Sequence, residues 1–182
     1  IETEIFWEAL LLFKISVPPP IIRPVFDKRP GRIRMSDASR RITALTTKLS
    51  GSADERAAAA EALAQIGNEC ADACIPLVRA CGTDELTREW AAAALEEMGP
   101  LPEACIPGLL ELTSDPSGSV VYWAVTLLGR SQAAGACNLL AKLVDSDHED
   151  FVRERAVWAI RQIGCPAATV QQALLKASQS EN

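Results

Sequence analysis

Hydrophobic positions in this chain fall into one helical motif written four times. The segments AAEALAQIG (59–67), AAAALEEMG (91–99), VYWAVTLLG (121–129) and AVWAIRQIG (156–164) each run small, two variable, alanine, apolar, two variable, apolar, glycine. The fixed positions stand at i, i+3, i+4 and i+7, one face of an α-helix, and the closing glycine suits a left-handed C-cap. Successive glycines are 32, 30 and 35 residues apart, a period that marks stacked supersecondary units. Each copy follows a second apolar run that ends in a polar turn: ITALTTKLSGS (42–52), CIPLVRACGTD (74–84), CIPGLLELTSD (105–115) and CNLLAKLVDSD (137–147). The chain therefore reads as a series of A–B helical hairpins. A last amphipathic run, ATVQQALLKA (168–177), reads as an unpaired A helix that covers the open end.

Composition agrees with an all-α fold. Alanine abounds while aromatics make up 5% of the 182 residues, which favours closely packed helices because alanine loses no side-chain entropy in a helix. The length and the 48% hydrophobic content suit one folded domain, assigned to 35–182. Residues 1–34 differ. EIFWEALLLFKISV (4–17) carries Glu8 and Lys14, follows acidic residues, and falls short of the roughly 20 apolar residues of a spanning helix. PPPIIRPVFDKRPGRIR (18–34) holds five prolines and cannot continue a helix. The expectation is an extended, disordered segment over 1–34, either a translated extension upstream of a natural start at Met35, just before the helix-start signal SDAS, or a genuine linker from something larger. No membrane association is expected.

The net charge is −6 and the pI about 4.9. Beyond residue 34 the balance is 12 basic against 20 acidic side chains, the wrong sign for a surface that neutralises phosphates, so nucleic acid is not an expected partner. The six cysteines are Cys70, Cys74, Cys81, Cys105, Cys137 and Cys165. With no convincing signal peptide, reduced thiols and a cytoplasmic setting are expected. Cys74, Cys105 and Cys137 recur at one place in successive A helices, three residues before Leu77, Gly108 and Leu140. Packing of a small hydrophobe explains this column better than a soft-metal or redox ladder, since the chain contains no Cys-x-x-Cys. Neither a metal nor a cofactor is expected.

These features resemble HEAT repeats, in particular the HEAT-like repeats of phycobilisome lyases, over residues 37–178. The resemblance rests on Ile75-Pro76 and Ile106-Pro107 in the A runs, and on the turn aspartates Asp84, Asp115 and Asp147. Arg56, Arg88 and Arg153, three residues before the first small position of B, complete it. It implies an all-α, right-handed α-solenoid of about four HEAT-like helical hairpins plus a C-terminal capping helix, with the B helices lining the concave side. It also implies a ladder between those arginines and the turn aspartates, interrupted where Gly118 replaces the arginine, with a softer junction there. Activities known on such repeats find little support in the residues. The single His148–Glu149 pair is too little for a di-iron centre, an acidic face does not suit DNA glycosylase chemistry, and no catalytic residue of the bilin lyases can be matched.

The indoles point towards binding. A step of 100° per residue from Ala156 keeps Ala159, Ile160 and Ile163 in the inward stripe and turns Trp158 away from it. Trp123 takes the same place in repeat three, and Trp90 lies one turn earlier in repeat two. Together with Glu96, Glu97, Leu127, Arg155 and Arg161 they make an aromatic and apolar centre flanked by both charges, the composition of a binding patch. The competing reading is that these rings fill space between adjacent B helices. The leading expectation is a non-catalytic scaffold that binds a protein partner, a helix or extended peptide, through the concave B-helix surface. A bilin lyase or lyase subunit holding a tetrapyrrole in that groove is the alternative.

Overall fold

The computed structural model describes residues 35–99 and 101–171. The segment 1–34 and most of the capping run, from 172 on, lie outside the described residues. Eight α-helices follow one another: α1 (Met35–Lys48), α2 (Ala53–Ile66), α3 (Cys74–Ala80), α4 (Glu85–Glu96), α5 (Ile106–Leu112), α6 (Gly118–Arg130), α7 (Cys137–Val144) and α8 (Asp150–Ile163). Odd-numbered helices are the A members and even-numbered ones the B members of four hairpins, and helical backbone resumes at 167–171. No strand occurs among the described residues. The fold is an all-α repeat array.

Local chemistry sets the helix ends. The Ser52 side chain accepts from the Glu55 amide while the Glu55 carboxylate accepts from the Ser52 amide, a reciprocal cap that satisfies two orphan donors of α2. Asp84 starts α4 by accepting from the Thr87 amide at 3.0 Å. Short 3₁₀ turns at Gly67–Ala73, Glu103–Cys105 and Ala134–Ala136 lead into α3, α5 and α7. Pro76 and Pro107 fall in the first turn of α3 and α5, where a missing backbone donor leaves no intrahelical bond unmade. The expected glycine ends appear at Gly67 (φ 71°) and in left-handed form at Gly164 (φ 71°, ψ 42°). Gly129 departs from this role. Helix α6 continues to Arg130 and closes with Gln132 at φ 49°, the Ala133 amide donating back to the Leu128 carbonyl at 3.1 Å.

Side-chain size sets the spacing between B helices. Helices α2 and α4 pack closely, as do α6 and α8, whereas α4 and α6 stay further apart among the described residues. The first seam is built from buried Ala57, Ala59, Ala60, Ala91 and Ala94. At the second, a Cβ on Gly129 would lie 2.7 Å from Cζ3 of Trp158 and 3.1 Å from Cα of Ala159, so the absence of a side chain permits the approach. On the other side of α6, Val120 presses on Gly82 at the end of α3, and Trp123 and Leu127 continue Val120's face at i+3 and i+7. Large side chains hold that junction open while one apolar core runs through it.

One rung of the arginine–aspartate ladder forms in full. Arg56 donates to Asp84 Oδ2 at 2.9 Å and to the Gly51 carbonyl at 2.9 Å. Arg153 instead serves its own turn, donating to the Ser146 and His148 carbonyls and pairing with Asp150. At Gly118 the place of an arginine side chain is taken by the Glu149 carboxylate, whose Oε2 lies 2.5 Å from where a Cβ would stand.

Candidate functional site

Residues from three B helices meet around Arg155 of α8. Its guanidinium carbon lies 4.5 Å from the centroid of the Tyr122 ring and 4.8 Å from that of Trp158, and it donates to the Tyr122 hydroxyl. A cation held against two rings gains roughly 0.5–2 kcal/mol per contact, more as water is excluded. Tyr122 is itself fixed, edge-on to Trp123 at 5.7 Å and tilted against Phe151 at 5.9 Å. From the end of α6, Arg130 donates to the Leu95 and Glu96 carbonyls at 3.1 and 3.4 Å. It thereby places positive charge at the negative end of the α4 dipole. Glu96 completes the group. Desolvation beside these helix ends raises its carboxyl above the ordinary value and neighbouring Glu97 adds to the effect, while Arg130 and Arg155 oppose it. More than a third of Glu96 still faces solvent.

The structure brings together four of the residues expected in the patch, Glu96, Glu97, Arg155 and Trp158. Arg161 is exposed on α8, and Trp90 is half-buried against the core. Two expectations are corrected. Trp123 is 8% exposed and Leu127 1% exposed, so neither presents a surface to a partner. The cause is that α6 is flanked by α5 in its own hairpin, α3 before it and α8 after it, which leaves only Ser119 and Tyr122 half-buried before its exposed end at Arg130. The sequence carried the signal in GSVVYWAVTLLG (118–129), a helix without one charged residue and apolar all round. Tyr122 and Arg130 were missed. Tyr122 is the one tyrosine of the chain and Arg130 ends the uncharged stretch at a helix terminus, but their roles depend on the neighbouring repeats.

The cysteines divide into two kinds. Cys70, Cys74, Cys81 and Cys105 are free, and burial pushes the Cys74 and Cys81 thiols up to about 12 and the other two upward as well. Cys74 and Cys105 lie side by side, and each bears on the other's titration. Such thiols pack and do not attack. Cys137 and Cys165, by contrast, form a disulfide with Cα atoms 5.7 Å apart, which corrects the expectation of uniformly reduced thiols. The reason lies in the repeat. Cys165-Pro166 opens the helical backbone at 167 much as Cys74-Ile75-Pro76 and Cys105-Ile106-Pro107 open α3 and α5, so Cys165 is the fourth member of the cysteine column and stands next to the third, Cys137. Among the described residues no group of three or more His, Cys, Asp or Glu side chains is placed to hold a metal ion, and no helix is long and apolar enough to cross a membrane.

Family models agree with this architecture. The family model of HEAT repeats matches residues 106–182, and that of the PBS lyase HEAT-like repeat matches 55–81 and 87–115. Among solved structures, the chain is similar to two engineered proteins from the Northeast Structural Genomics Consortium. One is 20% identical, over 75% of this chain and 69% of that one, with a TM-score of 0.45. The other is 22% identical, over 75% and 68%, with a TM-score of 0.47. A designed armadillo repeat protein is 26% identical over 75% of this chain and 70% of its own, with a TM-score of 0.46. No curated protein matches the chain. With its hairpin period, its Arg56–Asp84 rung and both family models in agreement, the chain is a HEAT-repeat protein of the PBS lyase HEAT-like type.

Proposed function

We propose that this protein is a non-catalytic interaction module that docks a protein partner, a helix or an extended peptide, on its B-helix surface. Trp158 and Arg155 form the centre of the docking area, Glu96 and Glu97 one flank, and Trp90 and Arg161 its margins. The observation that carries the reading is the Arg155 cation of α8 held between the Tyr122 ring of α6 and the Trp158 ring, with Arg130 tying α6 to the end of α4 beside it, a preorganised aromatic and charged patch of the composition that recurs at interface hot spots. Buried Trp123 backs the patch through its edge-on contact with Tyr122. A cytoplasmic setting rests on the four free thiols, and the Cys137–Cys165 bond weighs against it.

The lyase alternative draws on the repeat type alone, and raised thiols such as Cys74 and Cys81 are poor material for chromophore transfer. Affinity capture with the full chain, followed by titration of the captured partner against Trp158→Ala and Arg155→Ala, tests the docking reading. Loss of a hot-spot side chain is expected to weaken binding by about 2 kcal/mol, roughly thirtyfold. Equal affinity for wild type and both variants would sink the assignment. A spectral change on mixing with a bilin would favour the lyase instead.

A further inference from the structure

We propose that the Cys137–Cys165 disulfide is a reducible latch, a redox modification site at which a dithiol donor releases the start of the fifth A helix from the fourth repeat. The cysteine column supplies the geometry. Cys74 and Cys105 open neighbouring A helices as free, adjacent thiols. Cys137 and Cys165 hold the corresponding places in the fourth repeat and before the fifth A helix and are joined across 28 residues. One column therefore contains a dithiol rung and a disulfide rung.

From Gly164 to Gln171 no residue is buried, and Cys165, Thr169 and Val170 are the half-buried ones. The backbone ties of this segment back to α8 come from its first two residues, the Gly164 amide donating to the Ile160 and Arg161 carbonyls and the Cys165 amide to the Ile160 carbonyl at 3.1 Å. Each preceding A helix, by contrast, sinks buried residues into the core, Leu77 and Val78 in α3, Leu109 and Leu112 in α5, Leu140 and Leu143 in α7. Over 164–171 the covalent bond to Cys137 takes the part that buried side chains take in those helices.

The two sulfurs differ in access. Cys137 is 5% exposed, whereas Cys165 is half-buried at the surface end of the bond. A donor of the dithiol class, a small dithiol or a thioredoxin-like protein, attacks Cys165 Sγ as a thiolate. The S–S bond breaks, Cys137 leaves as a thiolate and takes up a proton, and the donor's second thiol displaces Cys165 from the mixed disulfide. Two electrons and two protons pass to the protein, which ends with two thiols, and the donor ends as a disulfide. The reverse exchange with an oxidised donor closes the latch.

This device is independent of the docking patch, and its failure leaves that reading untouched. The test treats the full chain with millimolar dithiothreitol without denaturant, alkylates it, maps the labelled cysteines by peptide mass spectrometry and follows amide exchange in parallel. Expected are new labelling at Cys165, exchange across 164–171 faster by at least about tenfold, and unchanged exchange across 53–96. Cys165→Ser should reproduce the fast exchange with no reductant. A bond that yields only once the chain is unfolded, or identical exchange across 164–171 in the oxidised, reduced and Cys165→Ser proteins, overturns the latch.

Discussion

Single side chains carry several duties where repeats meet, and Asp84 shows it best. It caps α4 through the Thr87 amide, accepts the Arg56 guanidinium from the preceding repeat, and takes the Thr87 hydroxyl at 2.9 Å. These bonds, the Thr87 amide foremost, hold its carboxyl well below the usual carboxylate range. A carboxyl whose folded value lies below its unfolded value of 3.8 contributes its full stability above that pH and loses it as the pH falls towards the folded value. Thermal melts from neutral pH down to about pH 2 should therefore show Asp84→Asn less stable than wild type at neutral pH, with a shallower acid limb below about pH 4. Superimposable limbs would show that Asp84 is not a determinant of acid stability. Asp84 and Arg56 were legible in the sequence because their places recur with the repeat. The seat of Arg155 between two rings was not, because it depends on side-chain torsions in two helices 33 residues apart.

At the scale of the helix, the four motif glycines were equivalent in the sequence and are not equivalent in the protein. Gly67 and Gly164 turn the chain with positive φ, as the pattern predicts. Gly129 lies inside α6 and lets α8 approach. The period reveals that a glycine follows the apolar stripe but cannot tell a turning residue from a contact residue, since both sit at the same register. Adding a methyl at Gly129 crowds the Ala159 backbone at 3.1 Å, which cannot rotate away as a side chain would. Gly129→Ala should lower stability by about 1–3 kcal/mol in urea titrations. Gly135→Ala, where nothing lies within 4 Å of the added carbon, is the control and should stay within about 0.5 kcal/mol of wild type. If both variants match wild type, the close approach of α6 and α8 is wrong.

Over the whole described array, the hairpin order and the identity of A and B helices were readable from hydrophobic period alone, while the outward surface was not. A helical wheel assumes one inward stripe. That holds for α8, whose Trp158 and Arg161 remain accessible, and fails for α6, which is enclosed from three directions. Trp123 thus belongs to the stability of the array. Trp123→Ala should cost about 3–5 kcal/mol, a loss read by chemical denaturation, and a cost below about 1 kcal/mol would mean that the ring is not enclosed. The contrast between the seams reaches further. Where alanine and glycine line two helices, the backbones already touch and no larger residue can enter. Where Val120, Trp123 and Leu127 stand between helices, distance is a function of side-chain volume, and exchanging one apolar residue for another changes it by small steps. Three codons therefore act as a tuning screw for the pitch between the first two repeats and the last two, leaving each pair internally intact.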